Sequence, residues 1–397
     1  MRLPFARRTR ISFKEPAIGA RSRIDAALLV TVFGLIVFGI VMVYSATSPL
    51  AGSPRFPGIG EWFFLARHLT FAGVALLASL VCFALPTRVW RGSWILLAVA
   101  SVLLLILVLV PYIGHEVNGA RRWIRLGGIN VQVCEITKFV SLIMAAQFAA
   151  THQYFMHSYH KLMPLFTYTF CVMLLLGLQP DLGSAFVCGC IIVGTIFLAG
   201  LSLRIIVPVG AILAGILVAG VVASPWRLQR VMAYLNPWDP EYVMGKGYQL
   251  GHSMVAFSRG QFSGLGLGGS VEKLNYLPEA HTDFILSIVG EELGFAGIAL
   301  VLCAYYFIIR RCFEIGRRAI RLERFFPGML AQGIGIWIGV QTIINVGVAS
   351  GLFPTKGLTL PFLSYGGSSL VMMCCAVALV LRVDFENRKL MYGKAKG

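Results

Sequence analysis

Of the chain's 397 residues, 57% are hydrophobic and only 13% charged, at a mean hydropathy of +0.79. A soluble domain carries about 25% charged residues, so this composition excludes one. The net charge of +17 would point to nucleic acid in a soluble protein, but among apolar blocks of about 20 residues it marks basic cytoplasmic loops, and no nucleic-acid partner is expected.

The composition and pattern predict an all-α integral membrane protein of about ten transmembrane helices. A basic cytoplasmic tail (1–24) precedes a single membrane domain (25–387), and a short cytoplasmic tail (388–397) follows it. The predicted spans are 25–46, 66–85, 92–112, 131–151, 162–178, 182–200, 204–223, 284–309, 327–351 and 367–386. The first follows basic residues, but its apolar run exceeds the roughly 7–15 residues of a signal-peptide core, so it reads as an uncleaved anchor. With both termini cytoplasmic, 22 of the 34 Lys and Arg fall in cytoplasmic segments. The nine cysteines are odd in number, lie mostly in apolar runs and have neither zinc spacing nor a disulfide framework.

The loop 113–130 breaks the charge rule. It places Arg121, Arg122 and Arg125 on the outer face against Glu116 alone, as a loop that holds an anion would. Span four opens with Glu135 and Lys138, three apart on one helix face, readable either as a self-neutralising pair or as part of a site. Gln179 and Asp181 join spans five and six. A large extracytoplasmic loop (224–283) lies between spans seven and eight, and its stretches 226–235 and 247–260 have the apolar spacing of helices lying in the interface. Within it, Gly264, Gly266 and Gly269 spell a dinucleotide fingerprint with no βαβ unit around them, which dismisses that reading.

The segment LPEAHTDFI (277–285) places Asp283 near a predicted helix start at Thr282. There it is either a capping acid or a general base, with Glu279 four residues upstream as a candidate carboxylate partner. Glu291 and Glu292 are the deep acids of span eight. Residues 352–369, with two prolines and the pair Gly366–Gly367, form a non-helical wall carrying Lys356, Ser364, Tyr365 and Ser368; Ser368 or Ser369 could cap span ten.

These motifs together resemble the SEDS family of bacterial cell-wall polymerases (shape, elongation, division and sporulation). The matching stretches are NGARRWI (118–124), LQPDLGSA (178–185), 247–285, GEELGF (290–295) and PTKGLTLPFLSYGGSS (354–369). Thr355–Lys356 resembles the division branch (FtsW type) rather than the elongation branch (RodA type). Gln132-Val133-Cys134-Glu135 departs from the family's usual Gln-Pro-Ser-Glu. The resemblance implies a peptidoglycan glycosyltransferase that polymerises lipid II on the outer face of the cytoplasmic membrane at the division septum. It also implies a class B penicillin-binding protein of the FtsI type as partner, and contacts with other divisome proteins.

Asp283 matches the family's essential aspartate and would be the base. Arg121, Arg122 and Lys138 would hold the pyrophosphate, Trp123 would pack on sugar or lipid, and Glu135, Asp181, Ser364 and Tyr365 would line the cavity. No metal ligands are identified, although a divalent cation (Mg or Mn) could assist at the pyrophosphate. The alternatives are a lipid II flippase and a non-catalytic division scaffold.

Overall fold

A computed structural model describes residues 24–50, 58, 60–117, 120–127, 129–152, 159–222, 225–354 and 357–394. The basic tail 1–23 and Lys356 lie outside them. The fold is mostly helical, and a helix occupies each of the ten predicted apolar segments. In chain order these are α1 (Ala26–Thr47), α2 (Phe63–Ala84), α4 (Trp94–Leu109), α5 (Val133–His152), α6 (Tyr159–Leu178), α7 (Leu182–Leu198), α8 (Leu203–Val222), α11 (Ile285–Arg321), α12 (Phe325–Ala349) and α13 (Gly367–Lys394). Among the described residues, six of them are long and apolar enough to cross a bilayer. Among the described residues three more α-helices lie between these: α3 (Thr87–Gly92), α9 (Pro225–Leu235) and α10 (Tyr248–Gly260). The last two coincide with the helices predicted within 224–283.

The all-α expectation needs one correction. The loop before α5 is a three-stranded antiparallel sheet, β1 (Gly114–Val117), β2 (Ala120–Leu126) and β3 (Ile129–Gln132), in the order β1-β2-β3. Its pairing follows from residues such as Val117, Trp123, Ile124 and Val131, whose β-branched or aromatic side chains suit a pleated surface. β3 runs directly into α5 at Val133, so the unusual Gln132-Val133-Cys134-Glu135 entry is a strand-to-helix junction without an intervening loop.

The core lies where α5, α7, α11, α12 and α13 meet. α5 and α12 are buried along most of their length, including Leu142, Ala145, Leu330 and Trp337. α2 and α4 instead expose Leu76, Leu77, Leu80, Leu96 and Leu103, the apolar outer surface that a bilayer would cover.

α11 is not one continuous helix. Gly294, at φ 65° and ψ −164°, breaks it into a short segment before the break and a long one after it. The break frees backbone groups that the glycine-rich segment then satisfies. Leu265 and Gly266 N–H donate to the Glu291 and Glu292 carbonyls at 3.0 and 2.9 Å, while Phe295 and Ala296 N–H donate to Gln261 and Phe262. A Cβ on Gly264, itself at φ +78°, would sit 2.2 Å from the Glu292 carbonyl oxygen. Of the false dinucleotide fingerprint, Gly264 and Gly269 are therefore there for close backbone approach, and Gly266 for its left-handed φ of 92°.

The two deep acids complete this junction. Glu291 accepts from Ser270 Oγ and from the Val271 and Glu272 N–H groups, and Glu292 accepts from Ser45 Oγ at 2.7 Å and pairs with Lys273 Nζ at 2.8 Å. Both carboxylates thus tie the segment before Asp283 to α11 and α1.

Candidate active site

Asp283 lies just before α11, whose N-cap is Phe284, and not in its first turn as expected. A tight turn presents it: the Glu279 carbonyl accepts from the N–H groups of Thr282, Asp283 and Phe284, with Glu279 in the left-handed region at φ 56°. The Glu279 carboxylate accepts from Thr282 Oγ1 at 2.8 Å. From the other side, Asn345 Nδ2 of α12 donates to the Asp283 carbonyl (2.9 Å) and to the Leu358 carbonyl (2.6 Å), clamping the aspartate segment to the loop before α13. That loop passes very close, since a Cβ on Gly357 would lie 3.0 Å from Asp283 Oδ2.

The Asp283 carboxyl is half-buried, and its pKa is pushed up to about 7. Burial is the main cause and the Glu279 charge adds to it, while the Arg122 guanidinium opposes both. A carboxyl poised there can take a proton from a hydroxyl near neutral pH.

The strand geometry separates the two arginines proposed together from the sequence. β2 bulges at Arg122, which falls between Trp123 (opposite His115) and Arg121 (opposite Glu116), and the two arginines take different partners. Arg122 donates to the Gln179 carbonyl at 3.2 Å and to the Pro180 carbonyl at 2.5 Å, within electrostatic reach of Asp283. Arg121 pairs across the hairpin with Glu116 at 3.1 Å. Trp123 is half-buried, opposite His115 and Gln132 in the sheet register.

Asp181 caps α7, accepting from the Ser184 N–H at 3.2 Å, and Ser184 Oγ in turn donates to Cys134 Sγ. Glu135 and Lys138 form a buried ion pair at 2.6 Å. Lys138 also donates to Gln341 Oε1 at 3.3 Å and lies 6.0 Å from the Trp337 ring centroid. Gln341 Nε2 donates to the Thr359 carbonyl, and Thr359 Oγ1 bonds Ser369 Oγ, so a polar chain runs from α5 through α12 to the wall loop. Glu135 Oε2 has no hydrogen-bond partner among the described residues.

Ser364 Oγ accepts from the Leu360 N–H at 2.8 Å, fixing the wall loop on itself. The Tyr365 N–H donates to the His281 carbonyl at 2.9 Å, and the Tyr365 ring packs with those of His281, Phe64 and His68. Ser368 and Ser369 have other partners than the expected cap: Ser368 Oγ accepts from the Gln132 N–H, joining the sheet to α13. Sequence reasoning passed over His281, Gln341, Asn345 and Gly357. His281 stood in a quoted motif beside Asp283; the two amides lie in an apolar helix, where a polar side chain was the available signal.

A family model described as "Cell cycle protein", covering FtsW, RodA and SpoVE, matches residues 26–389. The chain belongs to this family. It is 47% identical over 370 residues to a probable peptidoglycan glycosyltransferase FtsW of Burkholderia thailandensis, covering 93% of this chain and 80% of that one. It is 43% identical over 365 residues to a protein of the same name from Coxiella burnetii, covering 91% and 96%.

Among solved structures it resembles a chain from work on coordination of polymerization and crosslinking by a peptidoglycan synthase complex. The TM-score is 0.74 at 30% identity, covering 92% of this chain and 98% of that one. It also resembles the rod-shape-determining protein RodA of Thermus thermophilus, with a TM-score of 0.66 at 29% identity and coverage of 93% and 98%. The apolar helices and these relatives make it a multi-pass bacterial membrane protein.

Proposed function

We propose that the chain is a peptidoglycan glycosyltransferase that polymerises lipid II on the outer face of the cytoplasmic membrane at the division septum, with Asp283 as general base. The observation that carries this reading is the poise of Asp283: a half-buried carboxyl near pKa 7, on a clamped turn, with the Arg122 cation in reach. In the reaction, the 4-hydroxyl of the acceptor sugar attacks the anomeric carbon of the donor. The new C–O bond forms, the bond to the lipid pyrophosphate breaks, and the hydroxyl proton passes to Asp283. Pyrophosphate leaves readily once its charge is met, so cations replace the acid that glycoside hydrolysis would need.

Arg122 is the foremost of these cations because it lies nearest to the base electrostatically, and its planar fork suits phosphate oxygens. Lys138 would act from the buried pair with Glu135, and Arg121 and Trp123 from β2 at the rim. Asp181, Ser364 and Tyr365 support the walls. Among the described residues no three His, Cys, Asp or Glu side chains converge on a metal site, so a divalent cation would be held chiefly by the substrate's own phosphate oxygens.

The ten-span topology, with cytoplasmic termini and 224–283 outside, is supported by where the connections meet. The start of α2, the sheet, the α6–α7 turn, the segment before α11 and the α12–α13 loop all gather at the Asp283 end. A division-type class B penicillin-binding protein is the proposed partner, in keeping with the synthase complex to which a solved relative belongs. A flippase would need free polar groups through the membrane depth, whereas both oxygens of Glu291 and Oε1 of Glu292 are held in structural bonds.

The test is polymerisation of purified lipid II in detergent by the chain with its partner, comparing wild type with Asp283→Asn at matched folding. Glycan polymer from wild type alone is expected. Polymer from both removes Asp283 as base, and none from either, with the complex intact, favours transport or scaffolding.

A further inference from the structure

We propose that the end of the helix bundle remote from Asp283 binds the phosphate headgroup of an anionic phospholipid, with Arg88 and Arg91 as its ligands. A cavity of 530 Å³ opens there between α3, the end of α5, the α11–α12 turn and α13. That volume falls in the range of small-ligand sites, about 300–1,000 Å³. It is well separated from the active site. The start of α2 packs through Phe64 on His281, whereas Thr87 on the cavity wall lies beyond the other end of that 22-residue helix, about 33 Å away at 1.5 Å per residue.

The charges on the wall divide into satisfied and unsatisfied ones. Arg324 bonds Glu386, Asn387 Oδ1 at 2.8 Å and Thr87 Oγ1 at 3.2 Å. Glu386 further accepts from the Thr87 N–H, the Thr87 hydroxyl and Arg382, so its acceptor capacity is taken. Arg88 and Arg91 stand three apart on α3, share a face and are exposed; neither has a hydrogen-bond or ion-pair partner among the described residues. Glu323, exposed at the α11–α12 turn, is the one other acid on the wall, so the cavity stays cationic.

Two free guanidinium groups over a cavity suit a phosphate, which accepts forked hydrogen bonds from each. The surroundings identify the phosphate as part of an amphiphile. Phe325, Phe326 and Pro327 form an apolar part of the wall, and beside the arginines α2 and α4 expose Leu80, Val81, Ile95 and Leu96. A soluble phosphate has no use for that surface, whereas acyl chains would lie along it. Basic pockets at the ends of membrane helices recur as headgroup sites for this reason.

The experiment is native mass spectrometry of the full chain, delipidated in neutral detergent and titrated separately with phosphatidylglycerol, phosphatidylcholine and glycerol 3-phosphate. Wild type should retain phosphatidylglycerol over the other two. Arg88→Gln/Arg91→Gln should weaken that retention by about tenfold, the scale of one strong charge-assisted contact. Arg204→Gln, an exposed arginine outside the cavity, should leave it unchanged. Arg88→Lys/Arg91→Lys, which keeps the charge on the same exposed positions, should retain an intermediate share and guards against misfolding of the glutamine variant. Equal retention by the glutamine variant overturns the proposal. So does an equal loss in Arg204→Gln, which would mean diffuse charge. Equal binding of phosphatidylcholine, or of glycerol 3-phosphate, overturns headgroup selectivity and the lipid source respectively.

Discussion

The buried pair Glu135–Lys138 offers the sharpest energetic prediction. At 2.6 Å, two unit charges attract by about 6 kcal/mol at an effective dielectric of about 20, but desolvating each ion costs several kcal/mol. The intact pair therefore contributes little net stability. Glu135→Gln leaves the Lys138 ammonium fully buried with only neutral acceptors and no compensating charge, and should cost about 3–5 kcal/mol. Glu135→Gln/Lys138→Met removes both charges and should recover most of that loss. The double variant should nevertheless fail to polymerise lipid II, because the cation proposed for the pyrophosphate is gone and the Gln341–Thr359–Ser369 chain has lost its anchor. The assay is the apparent unfolding midpoint in detergent, measured beside glycan polymerisation for both variants. A single variant as stable as wild type would refute the energetic reasoning, and a double variant with full activity would make the pair purely structural.

Three other outcomes follow from the same contacts. Asp283→Asn should stabilise the protein increasingly as pH rises from about 4 to about 7 and level off above, by at most about 4 kcal/mol. The sign follows from a carboxyl raised above its unfolded value, which costs folding free energy once the unfolded chain has ionised; unfolding midpoints of both proteins across pH check it. Gly264→Ala drives a Cβ to 2.2 Å from the Glu292 carbonyl oxygen at a left-handed φ, and should loosen the 260–274 segment, seen as faster proteolysis there. Gly357→Ala, 3.0 Å from Asp283 Oδ2, should lower the polymerisation rate while leaving the unfolding midpoint nearly unchanged.

Much of this molecule was legible in its sequence because the signals were local. Apolar runs placed a helix at each of the ten predicted spans, with α11 and α13 running 12 and 8 residues past their predicted ends, and the spacing in 247–260 gave α10 within one residue. Asp283 was legible as a rare acid at the edge of an apolar block. The sheet was not, because β2 (ARRWIRL) mixes charged and apolar residues without clean alternation, so its pairing depends on β1 and β3. The break at Gly294 lies inside a helical pattern and exists only because the glycine-rich segment supplies its hydrogen bonds. The separate partners of Arg121 and Arg122 followed from that unseen strand and its bulge. The bonds of Gln341 and Asn345 to the wall loop are likewise tertiary, linking residues that no local pattern relates.

The most direct test of Asp283 as base is the rate of lipid II polymerisation against pH, measured for wild type, Glu279→Gln and Arg122→Gln. A carboxylate base of pKa about 7 is about half ionised at pH 7 and about one-tenth at pH 6, so the wild-type rate should fall roughly fivefold between them. Removing the Glu279 charge should shift the limb to lower pH. Removing the opposing Arg122 charge should shift it to higher pH, whatever else it costs in rate. A rate that is flat from pH 6 to 8, or limbs that do not move in opposite directions, would contradict the assignment.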